Sequence, residues 1–409
     1  MTNNSRTPAD RRGLGSPATG LGTSIRVLYL LNVSNPQQLS ADSGFTFASL
    51  LTPAMVEAGA HVTMAAPVAA GDTRVSFAPT QSPKTKYRAR FDPDMDQLVE
   101  LIEKTRPDVV VANQLEAAPA VRAALLEAGS EAIIAGYCHY LPFSMGDGGE
   151  PTLDPSLDDA GLGRPVLLTF VAGLAACDRV LVHSSTAASW TAQAAERMGV
   201  DVTDRLRIVP APRDERLVQD PALRSAPGGE AIGLYNHRLY EHYGTGKFSV
   251  LARRLVAEES VLQLRVMDLF GKRSPERIQL DPSPEVYTEE LAVLPRVTIE
   301  YDGGDRSRYR ALLASSHFGI APFRPGCPWS MSVIDCQAMG MPVIAPRTGW
   351  LAEHIHPDLL FDTVDEAVGI AARLATDKEF YSLHSKQAHE STADLAPAVV
   401  AARYLEAVL

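Results

Sequence analysis

The chain is poor in cysteine, has no long apolar run and carries no surplus of positive charge, and each shortage removes a class of protein. Its four cysteines are Cys138, Cys177, Cys327 and Cys336. They are too few and too scattered for a disulfide framework, and no C-x-x-C pair marks a zinc or redox site. A reducing cytoplasm is the expected setting. The longest apolar stretch, 165–177, is too short for a bilayer and is broken by Thr169 and Gly173, so no membrane span is expected. Residues 1–24 hold Asn, Ser, Thr, Pro, Gly and Arg without an apolar core; they read as a disordered arm and not as a secretory signal. Against 49 Asp and Glu stand 38 Lys and Arg, a net charge of −11, which argues against a nucleic-acid partner held by broad phosphate contact. No G-x-x-x-x-G-K-[ST] string occurs, so a P-loop is excluded.

What is present is ordinary core-forming composition, 45% hydrophobic over 409 residues, enough for two or three domains at roughly 150 residues each. Short Val- and Ile-rich runs alternate with amphipathic helical stretches. In the first half, strands are expected at 25–31, 61–66, 108–112, 132–137, 179–183 and 206–209, with helices at 44–58, 95–104, 117–127, 166–176 and 186–198. Residues 210–230 then gather four prolines and two glycines, a boundary signal. The alternation restarts with strands at 231–235, 262–268, 297–301, 318–322 and 342–345 and helices at 247–258, 306–315, 331–339, 365–376 and 397–408. Such alternation is the mark of an α/β, doubly wound parallel sheet, here twice over. The division expected is the arm 1–24, a first domain 25–212, a linker 213–230, a second domain 231–385 and a terminal helix 386–409 that returns to the first domain. Two facing sheets of this kind place a ligand in the cleft between them, beyond the carboxyl ends of the strands.

Two strings are discounted. Gly13-Leu-Gly15-Ser-Pro-Ala18 fits G-x-G-x-x-A but precedes the first strand instead of following it. Asp92-Pro-Asp94-Met-Asp96 has a D-x-D spacing that can hold a metal, yet it stands before a helix, where acidic residues cap the dipole. The informative segment is 318–343. Its loop, Arg324 to Ser330, feeds a helix whose first amides are free to meet a diphosphate, and Gly326 permits close approach. Asp335, one turn in, can accept two hydrogen bonds from a vicinal diol.

The run from Trp329 through Asp335 to Gly340 and Pro342 resembles the Glu-x7-Glu segment of family 4 retaining glycosyltransferases, in which the second Glu precedes a Gly by five residues and a Pro by seven. Asp335 has both spacings, and the first Glu of the pattern falls on Cys327. The resemblance implies the GT-B fold, two facing Rossmann-like doubly wound domains with an inter-domain cleft. It also implies that Asp335 holds the donor ribose. The family's diphosphate-binding Arg matches Arg238 in Asn236-His-Arg238, and its Lys matches Lys247 after a four-residue insertion. With them the donor side would comprise Asn236, Gly326, Cys327, Trp329, Ser330, Met331 and Ser332. His139, directly after the strand at 132–137, would contact the sugar or the leaving-group oxygen, and Ser43 and Gly44 would form an acceptor-side loop. Arg238, Lys247 and His139 are thus the expected catalytic residues, with no metal and no cofactor beyond the nucleotide-sugar itself. Ser184, Ser185 and Glu353 match family positions of structural kind, Glu353 as a helix cap or a support.

The function implied is a cytoplasmic, retaining, metal-independent hexosyltransferase. It would move a sugar from a nucleotide-diphosphate sugar to a small-molecule acceptor, as in specialised-metabolite or antibiotic biosynthesis. The string Asn236-His-Arg238 also resembles the tRNA-queuosine mannosyltransferase branch, which favours a GDP-sugar over a UDP-sugar. Three alternatives stand beside it. A sugar-nucleotide epimerase would react with donor alone. A silent homologue, suggested by Cys327, would bind nucleotide without turnover. A tRNA glycosyltransferase is disfavoured by the charge of −11.

Overall fold

The computed structural model describes residues 24–409 except 34–35, 37–38, 40–41, 83–85, 146–148, 154–156, 159, 259–260, 269–277 and 280. The arm expected over 1–24, Ser24 apart, and the glycine string at 13–18 lie outside the described residues.

The first half runs β1 (Arg26–Leu30), α1 (Ser43–Glu57), β2 (His61–Ala66), β3 (Ser76–Pro79), α2 (Lys86–Phe91), α3 (Met95–Thr105) and β4 (Val109–Ala112). It continues with α4 (Ala118–Glu127), β5 (Ile133–Tyr137), a small hairpin of β6 (Phe143–Met145) and β7 (Pro151–Leu153), α5 (Gly163–Ala176), β8 (Arg179–Val182), α6 (Ser185–Glu196) and β9 (Leu206–Ile208). Seven of these strands form a parallel sheet in the order β3-β2-β1-β4-β5-β8-β9. The run Val109-Val-Val-Ala112 is buried along its whole length because it pairs with β1 on one side and β5 on the other and has helices on both faces. The D-x-D string proves to be a cap: the Asp94 carboxylate accepts from the Gln97 amide at the start of α3.

The second half runs β10 (Ala231–Tyr235), α7 (Thr245–Glu258), β11 (Leu262–Met267), α8 (Ser283–Ala292), β12 (Val297–Glu300), α9 (Arg306–Ala314) and β13 (Phe318–Ile320). Then come α10 (Met331–Ala338), β14 (Val343–Pro346), α11 (Gly349–His354), β15 (Leu360–Phe361), α12 (Val364–Thr376), α13 (Lys378–Glu390) and α14 (Pro397–Val408). Its six strands are parallel in the order β12-β11-β10-β13-β14-β15. The molecule is therefore an α/β protein of two Rossmann-like domains.

In each sheet the strand order reverses once, between β1 and β4 and between β10 and β13. At such a reversal the two following loops part and leave a crevice at the carboxyl edge of the sheet. The terminal helix α14 packs on α1 and β8, far from its neighbours in sequence. Tyr404 on α14 meets the ring of Tyr137 at 5.8 Å, and Tyr137 stacks on Phe47 of α1 at 4.7 Å. One apolar core thus includes residues from both ends of the chain. No described helix is long and apolar enough to cross a membrane.

Candidate functional site

Both crevices open towards each other, and the residues singled out in the sequence lie around them. On the first-domain side the loop after β1 ends at Asp42, whose carboxylate caps α1 by accepting from the Phe45 amide at 2.9 Å. The cap fixes Ser43, and its Oγ lies 3.0 Å from Nε2 of His139, just beyond β5. Gly44 is buried beside Asn113, which follows β4; a Cβ there would come within 3.3 Å of the Asn113 amide nitrogen and 3.2 Å of Asp42. At Gly44 the two loops of the first reversal therefore come close, and a side chain there would have to push the Asp42 and Asn113 side chains aside.

On the second-domain side the loop between β13 and α10 reaches across. Arg324 donates to the Leu141 carbonyl at 3.1 Å and lies over the Tyr140 ring. Gly326 has φ +61°, and a Cβ on it would sit 2.0 Å from the Trp190 ring of α6, so the position admits only glycine on two counts. Ser184 caps α6 and donates to the Pro328 carbonyl at 2.7 Å. The Trp329 indole stacks on His183 at 4.0 Å and meets His139 edge-on at 5.0 Å, and its Nε1 donates to the His139 carbonyl at 3.2 Å. Further along, Glu353 on α11 accepts from both Ser185 and Thr186 of α6. Glu353 is thus a clasp between the domains and not a helix cap.

The electrostatics follow from this closure. Burial pushes His139 down to about 4; Asp42 opposes the shift, and the positive charge of Arg238 adds to it. Arg238, on the loop after β10, is therefore close enough to act on a first-domain residue. Burial also drives His183 well below the ordinary imidazole range, while its Nδ1 shares a hydrogen bond of 2.8 Å with the Tyr137 hydroxyl. Both rings are neutral at pH 7. Nδ1 of His139 and Nε2 of His183 are both buried without a hydrogen-bond partner, which leaves one polar atom on each ring for something else.

The structure brings Ser43, His139 and Trp329 together, with Gly44 next to Ser43, Arg238 acting on His139, and Ser330, Met331 and Ser332 at the start of α10; Gly326 packs instead against Trp190 and Gly349. The Ser330 side chain caps α10 through the Val333 amide, so the amides of Met331 and Ser332 are the ones left to a ligand. Lys247 stands exposed on the first turn of α7 and makes no ion pair among the described residues.

Three of the expected donor-side residues have side chains that turn inward in the structure. Asn236 is only 1% exposed; its amide donates to Tyr309 at 3.0 Å and to the Ser332 carbonyl at 3.4 Å, so it holds β10 to α10. The Cys327 thiol is equally buried, donates to the Trp329 carbonyl and is pushed up to about 12 by that burial, so its side chain shapes the loop from within. Asp335 is 2% exposed and already engaged: Oδ2 accepts from the Tyr309 hydroxyl at 2.8 Å and from Arg306 at 3.4 Å. Arg306 also binds Asp214 at 3.2 Å, tying 213–230 to α10. Burial raises the Asp335 carboxyl, against the pull of Arg306 and Tyr309. For Asp214 burial works in the same direction, but Arg216 and Arg306 outweigh it and hold that carboxyl low. A carboxylate one methylene shorter than Glu reaches these inner partners, and only its buried Oδ1 is unpartnered.

Reading the sequence alone missed Arg306, Tyr309, Asp214 and His183. His183 could have been suspected, since it follows directly on the carboxyl end of β8, whereas Arg306 opens α9 beyond the loop that follows β12.

Comparison with solved structures gives the frame a context. HepE of Anabaena, solved with UDP and glucose, superposes with a TM-score of 0.66 at 14% identity, covering 93% of this chain and 98% of that one. Sucrose-phosphate synthase of Thermosynechococcus elongatus gives 0.69 at 17%, with 93% and 98% covered. A UDP-forming trehalose-phosphate synthase of Burkholderia xenovorans gives 0.65 at 12%, with 94% and 99% covered. No protein-family model and no curated protein matches the sequence. At these identities the likeness is one of fold, and it extends over nearly the whole chain: the two domains face each other in the GT-B manner.

Proposed function

We propose that the chain is a retaining, metal-independent glycosyltransferase that moves a sugar from a nucleoside-diphosphate sugar to a small-molecule acceptor between its two domains. The observation that carries this reading is the meeting of His139, Arg238 and the Trp329–Ser332 segment where both sheets reverse. That two proteins of this fold are named as sugar-phosphate synthases and a third was solved with UDP and glucose, over the same length, supports it.

In this reading Arg238 and Lys247, with the Met331 and Ser332 amides, hold the diphosphate. Negative charge grows on it as the glycosidic bond breaks, and preset cations and amides stabilise that charge more in the transition state than in the ground state. His139 is neutral, with Nε2 held by Ser43, and its Nδ1 meets the sugar or the leaving oxygen. Oδ1 of Asp335 is the atom left for the ribose. Attack on the face from which the diphosphate leaves, with the acceptor proton passing to that phosphate, gives retention without a carboxylate pair. Donor entry parts Trp329 from the histidines, and closure afterwards excludes water.

The Asn236-His-Arg238 resemblance supports a GDP-sugar. The UDP and glucose bound by HepE support a UDP-sugar, and the buried, structural role of Asn236 weakens the first argument. An acceptor of the specialised-metabolite kind fits the acidic surface better than tRNA does. All four cysteines are free and buried, which suits a reducing cytoplasm.

The test is release of nucleoside diphosphate from UDP- and GDP-hexoses over a panel of small acceptors, with the product anomer read by NMR. Acceptor-dependent release with retained configuration, lost in Arg238→Ala, is expected. Intact donor throughout, an epimerised donor without acceptor, or an inverted product overturns the reading.

A further inference from the structure

Away from the crevice, at the outer edge of the second domain, His356, Asp358 and His384 converge. His356 and Asp358 flank Pro357 in the single 3-10 turn that leads from α11 to β15, and His384 lies midway along α13. Asp358 Oδ2 lies 3.7 Å from Nδ1 of His356 and 3.6 Å from Nε2 of His384. Both distances are too long for hydrogen bonds. The His384 side chain is wholly buried, and neither of its ring nitrogens has a hydrogen-bond partner. Buried polar groups are rarely left so.

The same distances suit a different arrangement. A tetrahedral ion with bonds of 2.0–2.1 Å separates its ligand atoms by roughly 3.3–3.4 Å. Here the three ligand atoms already lie within 4.8 Å of one another, two of the edges being 3.6 and 3.7 Å. We propose that His356, Asp358 and His384 bind one first-row divalent transition-metal ion, zinc in the first instance. Two imidazoles and one carboxylate favour such an ion over magnesium or calcium, which take oxygen ligands. His356 and Asp358 are 38% and 54% exposed at their side chains, so the ion has an entry path and water can complete its shell. The Asp358 amide makes a long contact of 3.3 Å to Nδ1 of His356, which ligation through that atom replaces. Gln387, one turn along α13, has a buried Oε1 with no hydrogen-bond partner, an acceptor suited to the ring N–H that a metal-bound imidazole keeps.

The site is a clip and not part of the transfer chemistry. α13 is anchored beneath the donor sheet by Tyr381, which donates to the His317 carbonyl at 3.1 Å, and by Ser385, which donates to the Gly340 carbonyl at 2.6 Å. The turn at 356–358 follows α11, which carries the inter-domain clasp Glu353. An ion joining the two would fix α11 against α13.

The full chain, freed of metal with a chelator, is titrated with Zn2+ by equilibrium dialysis and with Co2+ by its visible ligand-field bands, beside His356→Ala, Asp358→Ala and His384→Ala. His356 and Asp358 are exposed, so their variants keep the fold, as circular dichroism will check. One Zn2+ per chain is expected, unaffected by excess Mg2+ and weakened at least ~100-fold in each variant, more than the 10- to 100-fold loss usual for an outer-shell partner. Absence of stoichiometric uptake, or uptake that either exposed variant leaves unchanged, overturns the proposal.

Discussion

Removing the Trp329 side chain should loosen the two domains and release His139 at once. The indole makes one hydrogen bond to the His139 carbonyl, one stacked contact with His183 and one edge contact with His139. A hydrogen bond contributes about 1 kcal/mol net, and each aromatic contact about 0.5–1.5 kcal/mol beyond the area it buries. Trp329→Ala should therefore cost the closed arrangement about 3 kcal/mol, roughly a 100-fold shift in the closing equilibrium. Because the indole also screens His139 from water, its loss should let that imidazole rise from about 4 towards its ordinary 6.5. Two readouts separate this from general destabilisation: the His139 titration followed by NMR, and the radius of gyration by small-angle scattering. Trp329→Phe keeps the ring contact without the donor and should fall between the two. If the alanine variant keeps His139 near 4 and the same radius, the domains are held together by something other than this contact.

Other consequences follow from the same packing. His139 and His354, each at about 4, and His237, at about 3, are held neutral chiefly by burial. The unfolded chain binds protons at these groups below pH 6.5 while the folded chain does not. Their contribution is thus intact above that pH and is lost as pH falls towards 4, by up to about 1.4 kcal/mol per pH unit for each histidine. Urea midpoints should drop steeply between pH 6 and 4; a flat profile over that window would contradict the assignment. Gly326→Ala must abandon φ +61° or strike Trp190, and should destabilise the closed form by at least about 2 kcal/mol, seen as faster proteolysis between the domains. Arg306→Leu leaves Asp335 and Asp214 buried and short of a cation, and should cost about 3–5 kcal/mol in urea denaturation against about 1 kcal/mol for Asp335→Asn. Equal costs would show that Arg306 does not neutralise the pair.

The doubly wound frame was legible because parallel strands buried on both faces must be continuous apolar runs, as in Val109–Ala112 and Ala231–Tyr235. Elements lacking that pressure were missed. β3 (Ser76–Pro79) is an edge strand with a single partner and two exposed residues at its start. α13 is largely polar, and its clearest signal is the capping Asp377. α8 begins beside two prolines, Pro282 and Pro284, and shows only a weak apolar face. At the site, residues on loops after strands were found because their place relative to the strand is local information. Whether a side chain turns to the crevice or to the core is not local. Asn236 and Cys327 sit at the right places in the chain and point inward, and Asp335 is claimed by Arg306, 29 residues earlier. The meeting of Trp329 with His139, 190 residues apart, depends on how the two domains close.

The proposed function requires the crevice between the domains to bind a nucleoside diphosphate through the cations and amides of the second domain. Isothermal titration of UDP and GDP into the chain, beside Arg238→Ala and Lys247→Ala, tests it most directly. One site per chain is expected for one of the two nucleotides, weakened at least tenfold in each variant, since a charge-assisted contact contributes about 1.5–3 kcal/mol. Binding of neither nucleotide, or binding that both variants leave unchanged, would contradict it.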